Sequence, residues 1–260
     1  MRVFRAVSAL GGILVAARVS AAQHNIVISD SLAANADTLT VKRGGHWFGR
    51  IPKWRFGDYA VASSKLSPTG TRTKGNLFGT RTESRSSGKF SFVLTNGTGD
   101  SASVQAEHTT TIHSLDNKSE NGWAIPSDDV WLDSEDGTAH ITINGDTADS
   151  WALVLGVRVA HRRLHSETAL TNGARKIVLA DVSSDTHGRF DLRGVAGGYE
   201  FTEDGRSLGA LQYFGGTLGT TNIVWMLRSA DARTKLLLAA AMTAVLQMMS
   251  PELGPPEPGP

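Results

Sequence analysis

The sequence predicts a mainly β fold: an antiparallel sandwich or open barrel with one long C-terminal α-helix packed on the sheet. Short apolar runs recur along the chain, and turn pairs such as Asn96-Gly97, Asn144-Gly145 and Asn172-Gly173 separate them. Glycine is abundant, at 28 residues, which is typical of chains with many tight turns. The stretch 236–249 is apolar except for Thr243 and Gln247, and this pattern predicts a buried helix.

Length and composition predict one β-rich domain over residues 23–249. The 260 residues are 40% hydrophobic and 20% charged, which allows a sizeable core, and no linker-like stretch divides the chain. The formal net charge of +1 gives no bulk attraction to nucleic acid, so we expect no nucleic-acid partner. Cysteine is absent, which excludes disulfides, thiolate metal sites and a lipid anchor on an N-terminal cysteine.

Residues 1–22 are typical of an export signal and predict a periplasmic or secreted protein. Arg2 and Arg5 precede a short apolar stretch, and Ser20-Ala21-Ala22 offers cleavage before Gln23 or one residue earlier. The alternative is an ordinary N-terminal helix. No other stretch approaches the roughly 20 apolar residues of a spanning helix, so we expect no transmembrane span.

Two hairpins and the C-terminal helix are the clearest elements. Alternating runs flank Asn96-Gly97, which favours a tight turn, and further strand-like runs at 198–214 flank Asp204-Gly205. The helix is predicted over 231–249, with Ser229 and Asp231 suited to its start, as a core element or, alternatively, as a docking face for a partner. The proline-rich residues 250–260 predict a disordered tail.

Two other stretches are harder to assign. Residues 63–88 are polar and lack apolar periodicity, which indicates a long loop between strands. The segment 44–56 carries Trp47, Phe48 and Trp54 among turn residues, and we expect its aromatic side chains to cover one end of the β core. The alternative is that these aromatic residues line a pocket.

Charge is distributed in two blocks. Residues 42–89 hold 11 basic and 2 acidic residues, whereas residues 100–149 hold 11 acidic and 1 basic residue. Mutual neutralisation across the fold is the simpler interpretation. A functional alternative is a basic face that meets an anionic envelope component, or an acidic face that binds a divalent cation.

Motifs for hydrolytic chemistry are present only in fragments. Ser207 lies in a Gly-x-Ser-x-Gly sequence, but a strand follows it and no histidine lies downstream, so turn chemistry explains the glycines. His161 and His165 have the spacing of two ligands on a helix, but the zinc-protease glutamate is missing. His108 and His113 could join Asp116, although their strand parity differs.

Metal and phosphate motifs are also incomplete. The acidic residues that could supply calcium ligands do not fit a twelve-residue calcium loop: Asp128, Asp129, Asp133, Glu135 and Asp136. Residues 70–75 lack the ending of a phosphate-binding loop. We therefore predict no catalytic, cofactor or metal site from the sequence.

Three segments, 56–59, 80–84 and 89–92, together resemble uncharacterised exported bacterial proteins, some of them lipoproteins, and the similarity extends toward the C-terminal helix. The resemblance implies an envelope location and no particular activity. The leading hypothesis is thus an exported, non-catalytic envelope protein that acts by binding or assembly. The alternative is a secreted hydrolase with a site built from His108, His113, His140 and the acidic block.

Overall fold

The computed structural model describes residues 25–45, 49–75, 81–115, 130–160, 163–166, 168–184, 196–215 and 221–249. At residues 81, 112–115, 130–135, 157–160 and 163–166 it describes the backbone alone. Strands make up 61% of the structure, the antiparallel sheet is nearly closed into a barrel-like shape, and one C-terminal helix packs against it. The predicted fold class is confirmed.

Fifteen strands and two helices make up the described fold. In chain order, the elements are α1 Asp30–Asn35, β1 Ala36–Thr40, β2 Lys42–Arg43, β3 Trp54–Phe56, β4 Tyr59–Leu66, β5 Gly70–Gly75, β6 Arg81–Thr95, β7 Ser101–Leu115, β8 Val130–Ile143, β9 Asp146–Ala160, β10 Arg163–Ser166, β11 Ala169–Thr171, β12 Lys176–Ser183, β13 Gly197–Glu203, β14 Arg206–Phe214, β15 Ile223–Leu227 and α2 Ala232–Met248.

The sheet curls because its two edges belong to one stretch of chain. The strand order is β1-β15-β14-β13-β12-β11-β9-β8-β7-β6-β4-β3-β2, and every strand pairing among the described residues is antiparallel. Strand β1 pairs with β15 at one edge, β2 pairs with β3 at the other, and Val41 alone separates β1 from β2. Strands β5 and β10 lie off this path and pair with β6 and β9.

Helix α2 is enclosed by the barrel. It contacts β7 and β8 on one side and β14 on the other, and these strands lie far apart in the sheet order. Every residue from Leu236 to Met248 is at most 3% exposed, although the helix has apolar residues on all faces. An all-apolar helix is stable in water only when it is covered all round, so the structure supports the core alternative over the docking face.

Local interactions fix both the start and the end of α2. The Asp231 carboxylate accepts a hydrogen bond from the Thr234 amide (2.8 Å) and caps the first turn, as the sequence predicts. Near the other end, Gln247 is fully buried, and its Oε1 accepts a hydrogen bond from Trp54 Nε1 (3.1 Å). Trp54 therefore covers one end of the core, as predicted, whereas Trp47 and Phe48 lie outside the described residues.

The barrel has two kinds of wall. In β6–β9, the single-covered wall, burial alternates: side chains such as Phe92, Val104 and Ile141 are buried, and their neighbours are exposed or half-buried. In β13–β15, the double-covered wall, both faces are buried over most of each strand. Helix α1 contacts β14 and β15, so it covers part of the outer face of this wall.

Several turns match the prediction, and two segments do not. Asn144-Gly145 and Asp204-Gly205 form two-residue hairpin turns with positive φ at both positions. Asn96-Gly97 instead begins a five-residue loop, because the Asn96 side chain accepts hydrogen bonds from the Thr98 and Asp100 amides. The loop predicted over 63–88 is wrong: this segment forms the end of β4, all of β5 and the first half of β6.

Other predicted elements lie outside the described residues. These are the export signal at 1–22 and the tail at 250–260. Neither described helix has the length and apolarity that crossing a bilayer requires.

Candidate functional site

The outward face of the single-covered wall carries a groove. Two adjoining cavities, of about 800 Å³ and about 440 Å³, share Ser67, Lys89, Glu107 and Thr138 as lining residues. We call this concave surface the outer groove. Its position follows from register, since Lys89, Glu107, Thr138 and Val154 stand in one row across β6, β7, β8 and β9. All four side chains are exposed, so they face away from α2.

Flanking rows extend the outer groove along the strands. On one side, Ser91, Gln105 and His140 stand in register and line the smaller cavity. On the other side, Ser87, Thr109 and Asp136 stand in register and line the larger cavity. Hydroxyl, amide, imidazole and charged groups thus cover the surface, which gives donors and acceptors for a polar ligand.

The link between β4 and β5 forms a side wall of the outer groove. Ser67 and Pro68 line the larger cavity, and the Ser67 amide donates a hydrogen bond to the Lys89 carbonyl (2.9 Å). This bond holds the link against β6, where β4 ends and β5 begins. The link is therefore attached to the sheet through the backbone, and this attachment does not depend on the side chains of the link.

The two charge blocks of the sequence meet in the outer groove. Lys65 and Lys89 come from β4 and β6, and Glu107 and Asp136 come from β7 and β8. Lys89 Nζ and Glu107 Oε2 form an ion pair at 3.2 Å across the boundary, with side chains that are 75% and 61% exposed. The two charge blocks therefore neutralise each other at this pair. Because both side chains are exposed, the ion pair contributes little to stability.

Another part of the acidic block is neutralised elsewhere. Asp146 and Asp149 form ion pairs with Arg233 of α2, at 3.0 and 2.8 Å. The Asn172 side chain and Arg233 donate hydrogen bonds that lower the pKa of Asp149, with Asn172 as the largest cause. These contacts connect the start of the helix to β9 and to the turn after β11.

Glycine forms part of the floor of the outer groove. A Cβ on Gly137 would lie 2.6 Å from Met248 Sδ, and a Cβ on Gly88 would lie 2.8 Å from His108 Cε1. Both positions point inward, so glycine lets the end of α2 and the His108 ring approach the wall closely. The groove floor and the last turn of the helix are thus in direct contact through the sheet.

The histidines considered from the sequence do not form one site. His108 is 2% exposed inside the barrel, with its ring 6.5 Å from the Phe90 ring, whereas His140 is exposed on the outer face. The side chains of His113 and His165 and all of His161 lie outside what the structure describes. The sheet therefore separates two of the three histidines of the hydrolase alternative.

Most of the acidic residues considered for calcium lie outside what the structure describes. Asp128 and Asp129 lie outside the described residues, as does Asp116, which was considered with His108 and His113, and the side chains of Asp133 and Glu135 are not described. Asp136 is exposed in the outer groove. Among the described side chains, no three histidine, aspartate or glutamate residues converge in a way that could hold a metal ion.

Ser207 belongs to a buried polar cluster on the double-covered wall. It lies in β14, as the turn interpretation predicts, and donates a short hydrogen bond to the Glu200 carboxylate. Ser29 also donates to Glu200, through its hydroxyl (2.5 Å) and its amide (3.2 Å). The cluster attaches the N-terminal segment to the outer face of the barrel, so its role here is structural.

Comparisons of the chain with protein families, with characterised proteins and with solved structures find no match. The resemblance to exported bacterial proteins therefore stays a prediction. The outer groove itself could not be found from the sequence, because its residues come from β4 to β9 and only the register brings them together. The meeting of the two charge blocks was the available signal.

Proposed function

We propose that the protein is an exported bacterial envelope protein that acts by binding, and that the outer groove is its binding surface. The observation that carries the proposal is the pair of adjoining cavities over the row Lys89, Glu107 and Thr138. Polar side chains from four strands, β4, β6, β7 and β8, converge there on a hydrogen-bonded sheet, and sites on rigid elements hold their geometry better than sites on loops. The signal-like residues 1–22 support the location.

Most of the exposed side chains that line the outer groove are polar or charged, and Val154, at 45% exposure, is its one exposed large apolar side chain. A surface of this composition favours a ligand rich in hydroxyl and charged groups over an apolar one. An envelope saccharide or another polar envelope component has that chemistry. The hydrolase alternative has less support, since His108 and His140 lie on opposite faces of the sheet.

Binding is tested with a variant that fills the outer groove. Thr138→Trp places a large side chain at an exposed position shared by both cavities, and a strand tolerates tryptophan well. We expect the full chain to bind saccharides or envelope fragments on an array, and Thr138→Trp to lose that binding. Ser103→Trp is the matched control, because Ser103 is exposed on β7 and lines neither cavity. Equal binding by both variants would contradict the proposal.

Export is tested separately. The full chain, expressed with a C-terminal tag in a bacterial host, should be recovered from the periplasm or medium with a new N-terminus at Gln23 or Ala22. Replacing Leu14 with Arg interrupts the apolar stretch and should leave the product uncleaved in the cytoplasm. Recovery of uncleaved wild-type chain in the cytoplasm would contradict the proposed location while leaving the groove to its own test.

A further inference from the structure

Two arginines face each other beside the outer groove. Arg72 of β5 and Arg85 of β6 are direct partners in the antiparallel register, and both are exposed. Side chains that are direct partners have Cβ atoms about 4.5–5.5 Å apart, and like charges at that distance are destabilising. In the part of the chain that the structure describes, neither arginine forms an ion pair. The pair therefore costs stability, and no described contact offsets the cost.

Further cations stand on the same face. Lys74 lies two residues beyond Arg72 on β5, Lys89 lies four residues beyond Arg85 on β6, and all are exposed. Glu83, opposite Lys74, is the one acidic residue in the described side chains of β5 and β6. The outward face of these two strands is consequently electropositive, and it attracts anions over a distance set by ionic strength.

The arginine pair lies at one end of the outer groove. The next pair on the same face is Gly70 with Ser87, and both residues line the larger cavity. Two residues along a strand correspond to about 6.8 Å, so the guanidinium groups are within reach of a ligand that occupies the groove. Across the groove, Glu107 and Asp136 supply carboxylates.

We propose that Arg72 and Arg85 form an oxyanion subsite that binds the phosphate group of a phosphorylated amino sugar, whose sugar ring lies in the outer groove. The planar guanidinium fork matches phosphate oxygens, and two opposed arginines are best satisfied by an anion between them. Glu107 and Asp136 then accept hydrogen bonds from the ammonium and hydroxyl groups of the sugar. This inference rests on the proposed function, which makes the groove a binding surface.

Isothermal titration of the full chain at low salt tests the subsite with glucosamine 6-phosphate, glucosamine and inorganic phosphate. The variant Arg72→Gln with Arg85→Gln should weaken glucosamine 6-phosphate and phosphate binding at least about tenfold, since each lost charge-assisted bond is worth about that much. Glucosamine binding should change less than about twofold. The thermal midpoint of the variant should not fall, because a repulsive pair is removed.

The chain offers a matched control. Lys42 and Arg55 are also exposed, like-charged partners, across β2 and β3, and they line neither cavity of the groove. Lys42→Gln with Arg55→Gln removes the same charge and should leave binding within about twofold. Equal weakening in both double variants would show a general charge effect and would overturn the subsite.

Three further outcomes separate the possible failures. If vesicles of phosphatidylglycerol and phosphatidylcholine bind through Arg72 and Arg85 but glucosamine 6-phosphate does not, the ligand is a lipid headgroup and the sugar assignment is wrong. If Thr138→Trp abolishes saccharide binding while the arginine variant changes nothing, the subsite is overturned and the proposed function stands. If Thr138→Trp leaves every probe bound, the proposed function itself fails.

Discussion

The single-covered wall and the double-covered wall are built from the same antiparallel strands, yet they expose different surfaces. In β6–β9 the outer face meets solvent and carries the outer groove, whereas in β13–β15 the outer face is covered by residues 25–29 and α1. The covered wall is buried on both faces: it includes Tyr199, Phe201 and Leu211 at 0% exposure as well as the buried polar residues Glu200 and Ser207. One wall therefore stabilises the fold, and the other is available for binding.

Glycine substitutions should show the largest difference between the walls. A Cβ on Gly198 of β13 would overlap the Leu211 carbonyl oxygen and lie 2.8 Å from Ile26 Cδ1. Because the obstacle is backbone and the site is covered, Gly198→Ala should lower the free energy of unfolding by about 3 kcal/mol or more. Gly70→Ala, where a Cβ meets nothing within 4 Å, should change it by less than about 0.5 kcal/mol. Chemical denaturation measures both, and similar losses would contradict the distinction.

Truncation of an apolar side chain should show a smaller contrast. Leu211→Ala on β14 empties a fully buried position and should cost about 2–5 kcal/mol. Val154→Ala on β9 removes methyl groups that are already 45% exposed and should cost less than about 1 kcal/mol. Denaturant midpoints report the difference. A large loss for Val154→Ala would mean that the outer groove contributes to the core.

Changes in the buried cluster around Glu200 should lower the free energy of unfolding by a smaller amount. Glu200→Gln keeps the size of the side chain but replaces a carboxylate acceptor of the Ser29 and Ser207 hydroxyls, so we expect a loss of about 1–3 kcal/mol. Glu107→Gln in the exposed ion pair should change stability by at most about 1 kcal/mol. Proteolysis near residue 29 should also increase in Glu200→Gln alone, because the N-terminal segment loses its attachment. An unchanged cleavage pattern would contradict that role.

The smallest effect should come from the cap of α2, and it should depend on pH. Hydrogen bonds from Thr234 lower the pKa of Asp231 below its ordinary value of 3.8. A lowered pKa means that the contribution of Asp231 is complete above pH 3.8 and is lost as pH falls through the lower folded value. Asp231→Ala should therefore cost about 1 kcal/mol at pH 7. The cost should shrink below pH 3.8, as measured by denaturation at several pH values, and a pH-independent cost would refute the capping role.

Local signals in the sequence were sufficient for the elements they act on. The apolar run of α2 and the Asp231 cap predict the helix, and Asp204-Gly205 predicts the β13–β14 turn, because each depends on neighbouring residues. The segment 63–88 was misassigned because β5 and β6 carry polar residues on both faces there. The Thr71 and Ser86 hydroxyls bond each other at 3.0 Å where an apolar pair would have given a periodic pattern.

Features that depend on register could not be predicted. The sequence shows that α2 is apolar all round, but only the strand order shows that β7, β8 and β14 enclose it. Likewise, Lys89, Glu107 and Val154 are distant in the sequence. They stand in one row only because β6 pairs with β7, β7 with β8 and β8 with β9. The pairing of Arg72 with Arg85 depends on β5, and the sequence predicts a loop in place of this strand.

Strand β1, which Val41 alone separates from β2, pairs with β15 near the other end of the chain, so the barrel can be completed only late. Asp37 and Arg228, which form an ion pair beside the β1–β15 junction, are 191 residues apart, and α2 follows β15 in the chain. Both the closing pairing and the helix that fills the interior must therefore wait until residues 223–248 have been synthesised. A topology dominated by such distant pairings is expected to fold slowly, over milliseconds to seconds. Until then, the apolar inner faces of β7 and β8 have no helix to cover them, and apolar surface that is exposed during folding favours aggregation.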